Sequence, residues 1–194
     1  MTELPEPAVM RAFIALAPTD AAKDELAHAL RPAYAAFPDL RWNRIEDWHI
    51  TLAFLGELPV STVHGLRRPL AALAAVRPSL ELGLRGGGHF DERVLWSGVD
   101  GDLAGLHTLA DAVRGQVTAA GITVPWRPLR PHLTLARARR YDTASVPKAA
   151  AGLDDFTGTP WRTARLHLVG STTGPDAGPR RYGDIEAWEL AGSG

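Results

Sequence analysis

At 194 residues the chain has room for one large domain or two small lobes, and is too short for two independent enzymes. Hydrophobic residues at 45% and charged residues at 22% exclude a disordered, collagen-like or coiled-coil chain, and a formal charge of -1 excludes an overall positive field, so any anion site must be a local patch. Cysteine is absent, which removes disulfides, thiol nucleophiles and thiolate metal sites together.

In chain order, residues 1–9 lack the basic and apolar regions of a signal peptide, and no apolar run reaches the roughly 18 residues of a membrane span; a cytoplasmic protein is expected. Residues 9–17 read as a buried strand stopped by Pro18. Thr19 or Asp20 can cap a helix running to Phe37, with Pro32 shortening or kinking it. A second strand spans 48–55, ended by Gly56 and Pro59, and Ser61 opens an Ala-rich helix toward Val76 that Pro69 interrupts. Strands at 79–85 and 94–99 form a hairpin, with Gly86, Gly87 and Gly88 read as a turn and 91–93 as a second, polar turn. Residues 102–120 repeat Leu103, Leu106, Leu109, Ala110, Val113 and Val117 at helical spacing, with Asp102 as cap and Gly121 as the left-handed stop. Strands follow at 132–138, 164–171 and 185–190, with a Gly/Pro-rich loop at 173–179. Hairpin-connected strands mixed with helices give an α+β class rather than a doubly wound one, and no stretch reads as an interdomain linker.

One string occurs twice. His49-Ile50-Thr51-Leu52-Ala53 is echoed by His132-Leu133-Thr134-Leu135-Ala136, once in each half of the chain. Side chains alternate along a strand, so His49 and Thr51 share one face while Ile50 and Leu52 share the other, and His132 and Thr134 repeat the arrangement. A single strand histidine is ordinarily a half-buried residue with a hydrogen-bonded ring; a matched pair is not explained that way. If the two strands lie side by side or are related by a pseudo-two-fold, both imidazoles and both hydroxyls converge on one cleft. Neutral imidazole then takes a proton from an attacking hydroxyl while imidazolium gives one to a leaving oxygen, and the threonines donate to phosphoryl oxygens. A zinc site would need three convergent His, Asp or Glu ligands, and the nearest acid is Asp47, so no metal or other cofactor is expected.

The missing basic patch surrounds the second motif: Arg127, Arg130, Arg137, Arg139 and Arg140, with no acid among them. Arg130, two residues before His132, is the candidate phosphate fork; Arg137, Arg139 and Arg140 are expected to track nucleic-acid backbone from outside. Among aromatic residues near the motifs, Trp42, Trp48 and Trp126 read as core, while Phe54 and Tyr182 are the candidate base contacts. His28, His64 and His107 fall on helices and read as structural; His89 and His167 stay unassigned.

These residues resemble the 2H phosphoesterase superfamily, and within it the LigT or ThpR branch of RNA 2',3'-cyclic phosphodiesterases once named 2'-5' RNA ligases. The resemblance runs through Arg11-Ala12-Phe13-Ile14-Ala15, His49-Ile50-Thr51-Leu52-Ala53-Phe54-Leu55-Gly56, Arg93-Val94-Leu95-Trp96, Arg130-Pro131-His132-Leu133-Thr134-Leu135 and Arg181-Tyr182. It implies a bilobal α+β fold over residues 1–194, with two antiparallel sheets flanking a groove, helices outside and one motif per lobe. It also implies His49 as the general acid protonating the leaving 3' oxygen, His132 as the base activating water, and Thr51 and Thr134 holding the phosphate. The partner it implies is RNA ending in a 2',3'-cyclic phosphate, tRNA halves included, acted on by a monomer without metal; the reverse reaction would join RNA ends through a 2'-5' bond. The Gly/Pro loop before Arg180 and Arg181 departs from the family pattern. Two alternatives stand beside this reading: a phosphodiesterase for a small cyclic nucleotide such as ADP-ribose cyclic phosphate, and a non-catalytic RNA- or nucleotide-binding module.

Overall fold

The computed structural model describes residues 8–125, 127–172 and 182–192. Among these the chain forms β1 (Val9–Leu16), α1 (Asp20–Ala29), α2 (Arg31–Ala36), β2 (Arg41–Trp42), β3 (Ile50–Pro59), α3 (Val60–Gly65), α4 (Arg67–Ala74) and β4 (Leu80–Phe90). Then follow β5 (Val94–Gly101), α5 (Leu103–Ala119), β6 (His132–Arg137), α6 (Ser145–Ala151), β7 (Trp161–Thr163), β8 (Arg165–Thr172) and β9 (Tyr182–Glu189). The 173–179 loop, Arg180, Arg181 and Trp126 lie outside the described residues.

Every strand pairing between these elements is antiparallel, in the order β7-β4-β5-β6-β3-β1-β8-β9, with β2 added to β6. The α+β class holds. The two sheets expected from the resemblance are the two halves of this array, β7-β4-β5-β6 and β3-β1-β8-β9, and each half ends on a strand at a His-x-Thr motif: β6 starts at His132, and β3 starts at Ile50, one residue after His49. Among the described residues they are joined by one residue pair, Ile50 with Leu133, both fully buried. Beyond that pair β3 and β6 run apart in opposite directions, and β2 takes up the edge of β6 at Arg41–Arg137 and Trp42–Ala136.

The helices follow their local signals. Thr19 accepts from the Ala22 amide at the start of α1, and Asp102 accepts from the Gly105 amide at the start of α5. Past α5, Gly121 has φ +81°, the left-handed stop that its position suggested. Leu106, Leu109, Ala110, Val113 and Val117 form the buried face of α5 and join the same core as Ile50, Leu52, Leu133 and Leu135, at about 1.5–3 kcal/mol for each large aliphatic side chain. Two expected helices are each split. The breaks fall at Leu30 and Leu66, and Pro32 and Pro69 lie in the first turns of α2 and α4, where a missing amide hydrogen costs nothing. Strands β2 and β7 and helix α6 were not expected; two, three and seven residues are too few to show a period.

One reading is corrected. Gly86, Gly87 and Gly88 are not a turn but part of β4, which continues to Phe90, and the hairpin closes at Asp91–Glu92, where the Arg93 amide donates to the Phe90 carbonyl. A bulge at Gly86, with φ +64°, interrupts the ladder there. The next two glycines are demanded by close approach: a Cβ on Gly87 would lie 2.7 Å from the Leu153 side chain, and one on Gly88 would lie 2.2 Å from the Trp96 ring. Gly88→Ala should therefore destabilise the protein by about 1–3 kcal/mol through overpacking. Thermal unfolding measures this; an unchanged midpoint would show that Trp96 moves aside freely.

Candidate active site

In the pairing of Ile50 with Leu133 lies the geometry of the site. The same antiparallel register, carried one residue to either side, sets His49 across from Thr134 and Thr51 across from His132. Because Ile50 and Leu133 face the core, all four motif side chains face the opposite side. Two clefts there take in all four. The larger, about 930 Å³, is lined by Thr51, Phe54, Phe90, Arg130 and His132 among others. A smaller one of about 400 Å³ is lined by His49, Thr51, Thr134, Arg137 and Tyr182 among others. Thr51 and Phe54 border both, so the clefts are two arms of one groove.

The imidazoles are held alike. His49 Nδ1 lies 2.9 Å from the Asp47 carbonyl oxygen and His132 Nδ1 lies 2.6 Å from that of Arg130. A carbonyl only accepts, so Nδ1 carries the hydrogen in both rings and Nε2 is left for chemistry. Each ring also meets a Phe edge-on: Phe13 against His49 at 5.8 Å and Phe90 against His132 at 5.0 Å between centroids. Burial pulls both imidazoles below the usual histidine value, opposed in each case by the carbonyl hydrogen bond; the nearby Arg137 charge lowers His132 further.

Phe54 reaches the groove through irregularity. Strict alternation would put it on the core side with Ile50 and Leu52. A bulge in β3 at Leu52 turns Phe54 to share the groove face with Thr51, and a second, at Leu55, follows beside Gly56 at φ +75°. It is 46% exposed, under the guanidinium of Arg11 at 4.8 Å. Tyr182 packs edge-on to Phe13 at 5.4 Å and lines the smaller cleft. Trp48 is fully buried, as read; Trp42 donates its indole N–H to the Phe37 carbonyl and borders the smaller cleft.

The basic patch divides differently from its sequence reading. Arg130 precedes β6 rather than lying on it, and its guanidinium rests 5.7 Å from the Phe90 ring centre at the wall of the larger cleft. Arg137, expected outside, lies at the groove. A bulge at Leu135 reverses the alternation of β6, so that Arg137 shares a face with Thr134 and lines the smaller cleft. Arg139 is engaged with the Asp39 carbonyl and Arg140 with the Tyr141 ring. Sequence reasoning also missed Asn43, whose side chain donates to the Thr134 carbonyl at 2.9 Å from the wall of the smaller cleft. Its only signal was Trp42 nearby. Of the histidines left unassigned, His89 accepts from the Glu92 amide in the hairpin, and His167 lies beside His49. His28, His64 and His107 are exposed on helices. Among the described residues no three His, Asp or Glu side chains are grouped to hold a metal, and no helix is long and apolar enough to cross a membrane.

Known proteins share this fold and family. An RNA 2',3'-cyclic phosphodiesterase of Geobacillus stearothermophilus is 34% identical over 145 residues, 73% of this chain; the chain spans 46% of that relative's length. The protein TT0787 of Thermus thermophilus superposes with a TM-score of 0.76 at 26% identity, over 95% of this chain and all of that one. Escherichia coli LigT in complex with 3'-AMP superposes with a TM-score of 0.70 at 26% identity, over 95% and 99%. The 2'-5' RNA ligase superfamily matches residues 18–175, and with the paired motifs falling on the two central strands, the chain belongs to that superfamily.

Proposed function

We propose that the chain hydrolyses the 2',3'-cyclic phosphate at RNA ends to a 2'-phosphate by proton transfer between its two motif histidines. The observation that carries this is the cross-strand quartet, each histidine opposite the other motif's threonine and each with Nδ1 bound to a carbonyl. His132 Nε2 takes a proton from water as the water oxygen bonds to phosphorus. The bond from phosphorus to O3' breaks, and His49, protonated at Nε2, gives its proton to O3'. Thr51 and Thr134 donate to the non-bridging oxygens, where Arg137 and Arg130 add positive charge from the two clefts. The smaller cleft, bordered by Phe13, Trp42 and Tyr182, suits the terminal nucleoside. The larger, with Arg114, Arg127 and Arg130, leaves room for water or, in the reverse direction, for a strand bearing a 5'-hydroxyl. The phosphodiesterase relative and the nucleotide held by LigT support this reading. RNA fragments such as tRNA halves are the substrates it implies, taken by a monomer.

Incubation with an oligoribonucleotide ending in a 2',3'-cyclic phosphate, in EDTA, should give a 2'-phosphate end. His49→Ala and His132→Ala should each reduce turnover by about 100-fold or more, and Thr51→Val and Thr134→Val by less, because the proton transfers remain. Near-normal turnover in either His variant, or a strict need for added metal, would remove the two-histidine mechanism.

The pH profile follows from the sign of the shifts. His132 must be neutral and His49 charged; both are lowered, so the bell of kcat/KM should peak on the acid side of about pH 6.5, the ordinary histidine value. Bound phosphate favours imidazolium, so the alkaline limb should move upward in kcat. A kcat/KM that stays constant across the whole pH range in which the two histidines titrate would contradict the assignment.

Substrate length separates the arginines. Arg137→Ala should impair a cyclic mononucleotide and a long RNA alike, because the contact it loses is to the phosphate that both share. Arg140→Ala should raise KM for long RNA only and lower its salt slope by about one. Steady-state kinetics at two salt concentrations measure this; equal effects of both variants on the mononucleotide would place Arg140 in the site.

A further inference from the structure

The two motifs match in strand position, in the carbonyl bound by Nδ1 and in the Phe that meets each imidazole edge-on. They differ in the second ring. His132 has the uncharged Trp96, 6.4 Å away between centroids. His49 has His167 of β8, 6.3 Å away with the ring planes at 66°. His167 lies in one cross-strand row with Ala15 and Thr51, which puts it on the groove face, and its Nδ1 donates to the Asp184 carboxylate of β9 at 2.9 Å. Its side chain is 14% exposed, and neither His167 nor Asp184 lines the two clefts. His167 therefore meets His49, with Asp184 behind it, and neither lines the groove where substrate would lie.

We propose that His167, held by Asp184, is a positioning residue for His49, fixing the imidazole edge and setting its readiness to release a proton. The proposal rests on the two-histidine reading above. The charged groups acting on His49 are Lys23 of α1, buried and without a carboxylate in ion-pair reach among the described residues, His167 of β8 and Asp184 of β9. Asp47 precedes it in the 3-10 turn, and Arg44, Arg137 and Tyr182 border its cleft. Charge on Lys23 or His167 disfavours the His49 imidazolium, while Asp184 and the Asp47 carbonyl favour it. An imidazolium that holds its proton less tightly is a stronger acid toward the leaving oxygen, and the adjacent carboxylate keeps enough of it protonated to serve. His132, asked to accept a proton, has no titratable ring beside it among its ring contacts.

The test is the His49 titration itself, read from its imidazole Cε1–H resonance and assigned by loss of that peak in His49→Ala. His167→Phe keeps a ring against His49 and leaves Asp184, so the His49 midpoint should rise by about half a pH unit or more. Asp184→Asn added to His167→Phe should bring it down again, while His132 keeps its midpoint in both. The alkaline limb of kcat/KM should follow the same order. A His49 midpoint that stays put, or that moves the same way in both steps, would overturn the proposal and reduce His167 to packing. Because the resonance is read without turnover, this failure is separate from failure of the two-histidine reading, which shows as full activity in His49→Ala.

Discussion

The groove depends on one backbone pairing. Among the described residues, Ile50 and Leu133 are the sole contact in register between the two strands at the centre of the sheet, and both are wholly buried. A longer ladder would carry β3 and β6 side by side and leave no cleft between the halves. No ladder would leave the two histidines on separate lobes with nothing to set their distance. A single antiparallel pair, clamped by two apolar side chains in the core, fixes the four polar residues flanking it on the other face to within the tolerance of a backbone hydrogen bond.

From that fixed point the sheet departs from regularity wherever a side chain has to be aimed. A bulge at Leu52 brings Thr51 and Phe54 onto one face, and a bulge at Leu135 does the same for Thr134 and Arg137. In each case the extra residue is a leucine fully or almost fully buried, so its apolar side chain secures the kink from the core while the polar neighbour is turned outward. The sequence string is the same in both halves, His-x-Thr-Leu-Ala, and the bulge falls at Leu52, next to the threonine, in one and at Leu135, again next to the threonine, in the other. The internal echo is thus a repeat of backbone geometry as well as of chemistry.

What could be read from the chain alone was what short-range periodicity and repetition carry: α5 with its cap and stop, the β4–β5 hairpin, and the faces of the two motifs. The stretches that escaped depend on distant partners. Gly86 to Gly88 look like a loop until Trp96 and Leu153 are brought against them, and Arg137 looks peripheral until the bulge at Leu135 reverses its direction. The sequence offers Phe54 only through its nearness to the motif; its exposure rests on a ladder irregularity that no two-residue period reveals. Asn43 and His167 lie on elements whose link to the motifs is tertiary, through β6 and β1 respectively.

A near-symmetric frame also explains why the surroundings differ so much. Two histidines held through the same nitrogen by the same kind of carbonyl are chemically interchangeable, and a proton could pass in either sense across a phosphate between them. Direction must come from what the frame does not share. On one side stand the open cleft with Arg114, Arg127 and Arg130 and the neutral Trp96; on the other, the smaller cleft with Asn43, Arg137 and Tyr182, and beyond its wall Lys23, His167 and Asp184. Backbone repetition brings the two histidines into place, and on the proposed mechanism unlike neighbours then give them unlike work.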